Sequence, residues 1–203
     1  MKTPICIALL ALTLGGAAFA APQTFDFKDP KGVNNAVFKL DAPLEAINGS
    51  ASGISGSVSF DPENPGTTTG KIVISAASLV VPNPMMKDHL QGDQWMDVAK
   101  NKEITFEVKS VANPKTSGLT ISATVTGSLT IKGITKEINV PVCFTYLKDK
   151  LSQRVPNMKG DLLVIRSNFQ IKRSDFEINP KAPQDKVSDT IDLTLSIAGA
   201  SPK

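Results

Sequence analysis

Residues 119–146 read LTISATVTGSLTIKGITKEINVPVCFTY, and this stretch decides the fold. From Leu119 to Ile131 the odd positions are Leu119, Ile121, Ala123, Val125, Gly127, Leu129 and Ile131, and every even position is threonine or serine. Strict alternation of this kind is the period of a strand with one buried face. Lys132-Gly133 then has the length of a two-residue hairpin turn, with Gly133 free to take a positive φ. Ile134, Ile138, Val140, Val142, Phe144 and Tyr146 follow in matching parity. A two-residue loop sets Ile131 opposite Ile134, Gly127 opposite Ile138 and Ile121 opposite Phe144, all on one face. Lys136, opposite Leu129, is the exception. The reading is a long ribbon, apolar on one side and rich in threonine and serine on the other.

The same rule extends outward. Ala36, Phe38 and Leu40 alternate with polar or opposite-facing neighbours, as do Gly56, Val58 and Phe60, and Ile104, Phe106 and Val108. Leu163, Ile165, Phe169 and Ile171 share one parity, interrupted by Ser167, and Ile191, Leu193, Leu195 and Ile197 share another. Lys71–Val81 is apolar on both parities, so it is either covered on both faces or passes into irregular structure. Turn residues gather at Asp61–Gly70, Asn113–Gly118, Asp149–Gly160 and Asn179–Asp185. Pro82–Asn101 has no such alternation and predicts one or two short helices around residues 83–100, with Gly92 as a divider. Many strands and almost no helix predict an all-β sandwich or barrel. The long ribbons favour an antiparallel barrel, whose closure removes exposed edges.

Several segments carry a family resemblance in order along the chain. Gly127-Ser128-Leu129-Thr130-Ile131-Lys132-Gly133-Ile134-Thr135-Lys136 resembles the "G-x-L-T-I-x-G-x-T-K" hairpin of the YceI-like, polyisoprenoid-binding family. Ile54–Asp61 resembles its "G-x-V-x-F-D" strand. Asp88-His89-Leu90, Met96-Asp97-Val98 and Ile104-Thr105-Phe106 resemble its "D-H-L … F-D-V … I-T-F" stretch. Arg173-Ser174-Asp175-Phe176 resembles its "R-S-D-F" corner, and Val187-Ser188-Asp189 opens a segment similar to its closing strand. The match spans about residues 33 to 197. It implies a lipocalin-like β-barrel with a long isoprenoid lipid or isoprenoid quinone in its interior. The chain departs from the family near its start: many members carry a His-Ser pair and a second histidine there, where this chain has Asn34-Asn35 and no histidine.

Residues 1–20 read as a cleavable targeting segment. Lys2 is the positive start, Ile5–Leu14 an apolar run too short to span a bilayer, and Ala18-Phe19-Ala20 a small-x-small cleavage site. A membrane anchor is the rival reading, and Cys6 lies too far from the cleavage point for a lipid-modified cysteine. The expected location is exported, a bacterial periplasm or the medium. Residues 21–203 then form a single domain, long enough for one core and without a further integral membrane segment. Removing Lys2 leaves 21 basic against 19 acidic residues, with no like-charge block. That argues against nucleic acid as an obligate partner. Cys143 becomes the only cysteine, on the polar side of its strand by parity. Pro141 two residues earlier predicts an edge or a bulge that would turn the thiol inward. A buried thiol is one reading; intermolecular pairing in a homodimer is the other. Asn48-Gly49-Ser50 is a glycosylation sequon of relevance only in a eukaryotic pathway.

A small barrel is either filled by side chains or holds one ligand. Ala36, Gly56, Ala123 and Gly127 are small residues of inward parity and predict an elongated apolar space, unless neighbouring side chains fill it. Phe38, Phe60, Phe106, Val125, Leu129 and Phe144 are the expected lining from the strands. Met86, Leu90 and Trp95 are the expected lid or tunnel wall, or alternatively a plug of ordinary core. His89 and Arg173 are candidates for a polar headgroup, with a structural hydrogen bond and a strand-corner Arg–Asp bridge as their alternatives. A lone histidine beside Asp88 and Asp93 lacks a metal-ligand set, and the carboxylates of Asp88, Asp93 and Asp97 lack calcium-loop spacing. No nucleophile-elbow, paired-cysteine or phosphate-loop motif is present, so no cofactor is expected apart from a bound isoprenoid lipid; the rivals to lipid binding are a non-enzymatic interaction barrel with a packed core and, less favoured, an enzyme using His89.

Overall fold

The 119–146 ribbon pairs as its parity dictates. In the computed structural model, which describes residues 22–203, β7 (Thr120–Ile131) lies antiparallel to β8 (Ile134–Leu147). Ile131 meets Ile134, Gly127 meets Ile138, Ile121 meets Phe144, and Lys136 faces Leu129. Lys132 and Gly133 take φ of 51° and 77°, so both central residues of the turn are left-handed. That is the type I′ geometry whose twist matches the strands it joins. The expected targeting segment 1–20, Cys6 included, lies outside the described residues.

Eight strands close the barrel. In chain order they are β1 (Gln23–Asp26), β4 (Ile54–Phe60), β5 (Thr69–Ser75), β6 (Glu103–Ser117), β7, β8, β9 (Gly160–Lys172) and β10 (Thr190–Pro202). Each pairs antiparallel with the next, and β10 returns to β1 through Asp26 and Ala200. The hairpin of β2 (Asn35–Asp41) and β3 (Ala46–Ala51) extends the wall from the other half of β10. The chain is therefore an antiparallel β-barrel, as the alternation and the resemblance both imply.

The differences from expectation are local. β1 and β3 carry no clear sequence signal. Asn113–Gly118 is strand almost throughout, because β6 continues to Ser117 with register shifts after Val108 and Ala112. Lys71–Val81 passes from β5 into a 3-10 turn at Ala76–Ser78, the irregular alternative. One helix, not two, occupies 83–100: α1 (Pro84–Gln91). Asn83 caps it by accepting from the amides of Met85 and Met86, Pro84 suits its first turn, and Gly92 ends it. Turns follow to Lys100. A second short helix, α2 (Leu151–Arg154), lies in the Asp149–Gly160 turn region. Pro141 lies just past the end of the β8–β9 ladder, so that side of β8 is an edge there, while the β7–β8 register runs past it without a bulge. Cys143 accordingly keeps its outward parity, half-buried between Ser122 and Arg166.

Asn34 holds the wall where β10 changes partner. Ala198 lies between the last β2 pair at Ser196 and the β1 pair at Ala200. The Asn34 side chain accepts from the Ala198 amide at 2.9 Å and donates to the Ala198 and Phe27 carbonyls at 3.1 Å. Arg154 donates to the same Asn34 oxygen. A carboxamide thus does the work of a strand residue. Asn34→Ala is expected to destabilise the barrel by about 2 kcal/mol or more, because buried backbone groups lose their partners. A urea titration checks it: an unchanged midpoint would show that water replaces the amide.

The end of the barrel remote from α1 is packed solid. Phe25, Phe27, Phe60 and Leu163 are all but inaccessible there, and the Phe60 and Phe144 rings lie 5.2 Å apart. Asp161, fully buried, accepts from the Tyr146 hydroxyl, the Asp149 amide and the Lys203 ammonium at 2.7–2.9 Å. Burial alone would push its carboxyl up, but these three donors together leave it below the usual carboxylate value. A carboxyl whose folded pKa is depressed gives stability that is present above its unfolded pKa and lost as pH falls through the folded one. The protein is therefore expected to lose stability below about pH 4, the unfolded carboxylate range. Asp161→Asn is expected to flatten that loss in thermal melts from pH 6 to 2; an identical pH slope would exclude Asp161 as its source.

Candidate functional site

Near α1 the packing gives way to a cavity of about 400 Å³. Its wall draws on nine strands, β2 to β10; β3, β4 and β5 contribute Ile47, Ala51, Val58, Ile72 and Ile74. β2 gives Ala36, Phe38 and Leu40; β6 gives Ile104, Phe106 and Val108; β7 gives Val125, Leu129 and Ile131. β8 adds Val140, Val142 and Phe144, β9 adds Ile165, Phe169 and Ile171, and β10 adds Ile191, Leu193 and Leu195. α1 and the turns after it close one side with Met86, Leu90, Trp95 and Met96. Polar groups are few: Glu45, Thr68, His89, Thr105, Ser167, Arg173 and Thr194. Such a space suits an apolar chain, each Å² of which gains about 25 cal/mol on leaving water.

Ten of the eleven residues picked out in sequence lie on this wall: Phe38, Met86, His89, Leu90, Trp95, Phe106, Val125, Leu129, Phe144 and Arg173. Phe60 does not. Its parity is inward, but it lies deeper, in the packed end against Phe144. The small residues also divide. Ala36 borders the cavity, whereas a Cβ on Gly127 would lie 2.4 Å from the Phe106 ring, which already covers it. At Gly56, with φ of 108°, a Cβ would lie 2.1 Å from the Lys71 carbonyl, so that glycine serves close approach of two backbones. Ile178 and Val187 also line the cavity and were missed because they lie in a loop without periodicity.

Arg173 is the most buried large side chain at the cavity, 1 % exposed. Its guanidinium donates to the carbonyls of Ile178, Asn179, Val187 and Ser188 and stands 5.8 Å from the Trp95 ring. It makes no direct bridge to a carboxylate among the described residues. The expected Arg–Asp corner is instead split in two: Asp189 accepts from the Ser174 amide and hydroxyl, while Arg173 laces the 178–188 loop. Burial lowers the Arg173 pKa, with Asp189 nearby opposing the shift. Asp189 is itself raised by burial but held low overall by its two bonds from Ser174 and by Arg173. Lys132, in the hairpin turn, ties the same parts together by donating to the Gln94 and Glu177 carbonyls at 3.0 Å. His89 lies exposed on α1 at the rim. No group of three or more His, Cys, Asp or Glu that could hold a metal ion occurs among the described residues.

A barrel with this topology and an apolar end cavity has relatives. The YceI-like domain model matches residues 29–198. The chain belongs to the YceI-like family. A UPF0312 protein of Pseudomonas aeruginosa is 30 % identical over 200 residues, covering 94 % of this chain and 96 % of that protein. A UPF0312 protein of Yersinia pestis is 29 % identical over 201 residues, covering 96 % and 97 %. Among solved structures, BcnA of Burkholderia cenocepacia superposes with a TM-score of 0.66 at 23 % identity, covering 81 % of this chain and 95 % of that one. A polyisoprenoid binding domain from Saccharophagus degradans superposes with a TM-score of 0.63 at 12 % identity, covering 89 % and 99 %. At such identities these YceI-like likenesses speak for the barrel alone.

Proposed function

We propose that this YceI-like protein is a non-enzymatic carrier that holds a polyisoprenoid or isoprenoid-quinone amphiphile in its barrel. The cavity at the α1 end carries this reading: its wall is almost wholly aliphatic and aromatic, with His89 and Arg173 among its few polar groups. The apolar chain lies among Phe38, Phe106, Val125, Leu129 and Phe169, and the polar head lies near His89 and Arg173. Four of the five guanidinium N–H groups of Arg173 are spent on carbonyls, so at most one is left for a ligand oxygen. Family membership and the polyisoprenoid binding domain among its structural neighbours support a lipid of this class. The targeting segment at 1–20 supports export, where a carrier would move such a lipid through water. An interaction module with a filled core is the weaker reading, because the α1 end is open space.

The test is native mass spectrometry of protein purified from an exporting host without detergent, followed by solvent extraction. An added mass that extracts as an isoprenoid is the expected result. Protein that is bare, and stays bare after incubation with octaprenyl lipids and quinones, would overturn the reading.

A further inference from the structure

The barrel wall has a seam between β8 and β9. Their ladder runs only from Leu147–Leu162 to Val142–Ser167. Beyond that point β8 continues to Ile134 paired with β7, and β9 continues to Lys172 paired with β10, but not with each other. Pro141 stands at the fork. Counting from the hairpin turn, the backbone of residues 135, 137, 139 and 141 points away from β7, toward β9. Proline has no N–H to offer at the last of these. Its carbonyl takes the Ser167 hydroxyl at 2.6 Å instead. The strands then diverge around a groove of about 400 Å³ whose walls include Lys136, Glu137, Ile138, Gln170 and Lys172.

The groove adjoins the main cavity at Ile171 and is bordered by the turn Ser174–Phe176, which packs against both β8 and β9. Ile171 lines both spaces, and Phe176, 1 % exposed, lines the groove beside it. Phe176 ends a single 3-10 turn, Ser174–Phe176, followed by Glu177 and Asn179 at φ of 50° and 41°. The rim beside α1 is closed differently, by hydrogen bonds between segments: Lys132 to Gln94 and Glu177, the Asn179 amide to Gln94, and the Leu44 amide to Asp185. Opening the rim breaks those bonds. Opening the seam beyond Pro141 breaks no pair of the β8–β9 ladder.

Resting on the carrier reading, we propose that this seam is the entry site for the apolar chain of the ligand. The chain slides sideways past Ile171 and Phe176 while the polar head stays outside the wall until the tail is seated.

The test starts from Cys143→Ser and adds Glu137→Cys with Lys172→Cys across the groove, joined by a cleavable bis-maleimide. A second protein carries Leu44→Cys with Asp185→Cys across the rim, joined likewise. The entry rate of N-phenyl-1-naphthylamine is followed by energy transfer from Trp95, the only tryptophan. Transfer of an octaprenyl lipid from phosphatidylcholine vesicles is followed in parallel. The seam link is expected to slow naphthylamine entry tenfold or more, reversibly on cleavage, with the rim link changing it less than twofold. Filling at the unlinked rate through a linked seam, or no entry into the unlinked protein, overturns the proposal. Seam-controlled entry of the naphthylamine without any octaprenyl binding would leave the door standing and refute the carrier reading.

Discussion

Val125→Trp is expected to abolish ligand loading while leaving the barrel folded. Val125 sits midway along β7, 2 % exposed, with its side chain on the cavity wall. An indole there occupies the space the ligand chain needs. Displacing about 120 Å² of apolar contact at about 25 cal/mol per Å² costs about 3 kcal/mol. That weakens binding by more than about a hundredfold. Overpacking a filled core costs about 1–3 kcal/mol, and a side chain growing into open space should sit at the low end. Fluorescence titration with an isoprenoid quinone reads the first effect and urea unfolding the second. Wild-type affinity in a folded variant would mean that the ligand lies elsewhere.

Arg173→Ala should be the most destabilising change at the site. Four backbone carbonyls lose their donor, at about 1–3 kcal/mol for each group left buried and unpaired. Some will find water as the 178–188 loop loosens, so the expected loss is about 3 kcal/mol or more rather than the full sum. Arg173→Lys should recover less than half of it, since one ammonium cannot span carbonyls arranged around a planar guanidinium. Trp95, 5.8 Å from that guanidinium, reports the change through a red-shifted emission. A loss under about 1 kcal/mol would show that the loop holds without the arginine.

Both effects were only half visible in the sequence. The parity of residues 119–131 placed Val125 on the inner face, and the hairpin turn placed Leu129 and Ile131 beside it. The R-S-D-F corner marked Arg173 as special but suggested an aspartate partner. Its real partners are carbonyls of a loop with no periodicity, and which carbonyls meet a side chain is set only when the chain is folded. The short strands β1 and β3 were silent for a related reason. A run of four to six residues holds too few alternations to stand out, and β3 carries Asn48, Gly49 and Ser50 at its centre.

What the sequence determined by itself is the direction of each side chain. Period-2 alternation, a two-residue turn and turn residues at the right intervals dictate strands, hairpin register and an inner face, because these depend on local geometry. Depth along the barrel is not local. Phe60 and Phe38 share inward parity, yet one is packed against Phe144 and the other borders the cavity. The same holds for Gly127, whose missing side chain makes room for the Phe106 ring rather than for a ligand. Where the core fills and where it stays open is decided by the stagger of eight strands around a closed ring. Where β8 and β9 part is decided by a proline meeting a particular neighbour across that ring, and only the tertiary structure brings the two together.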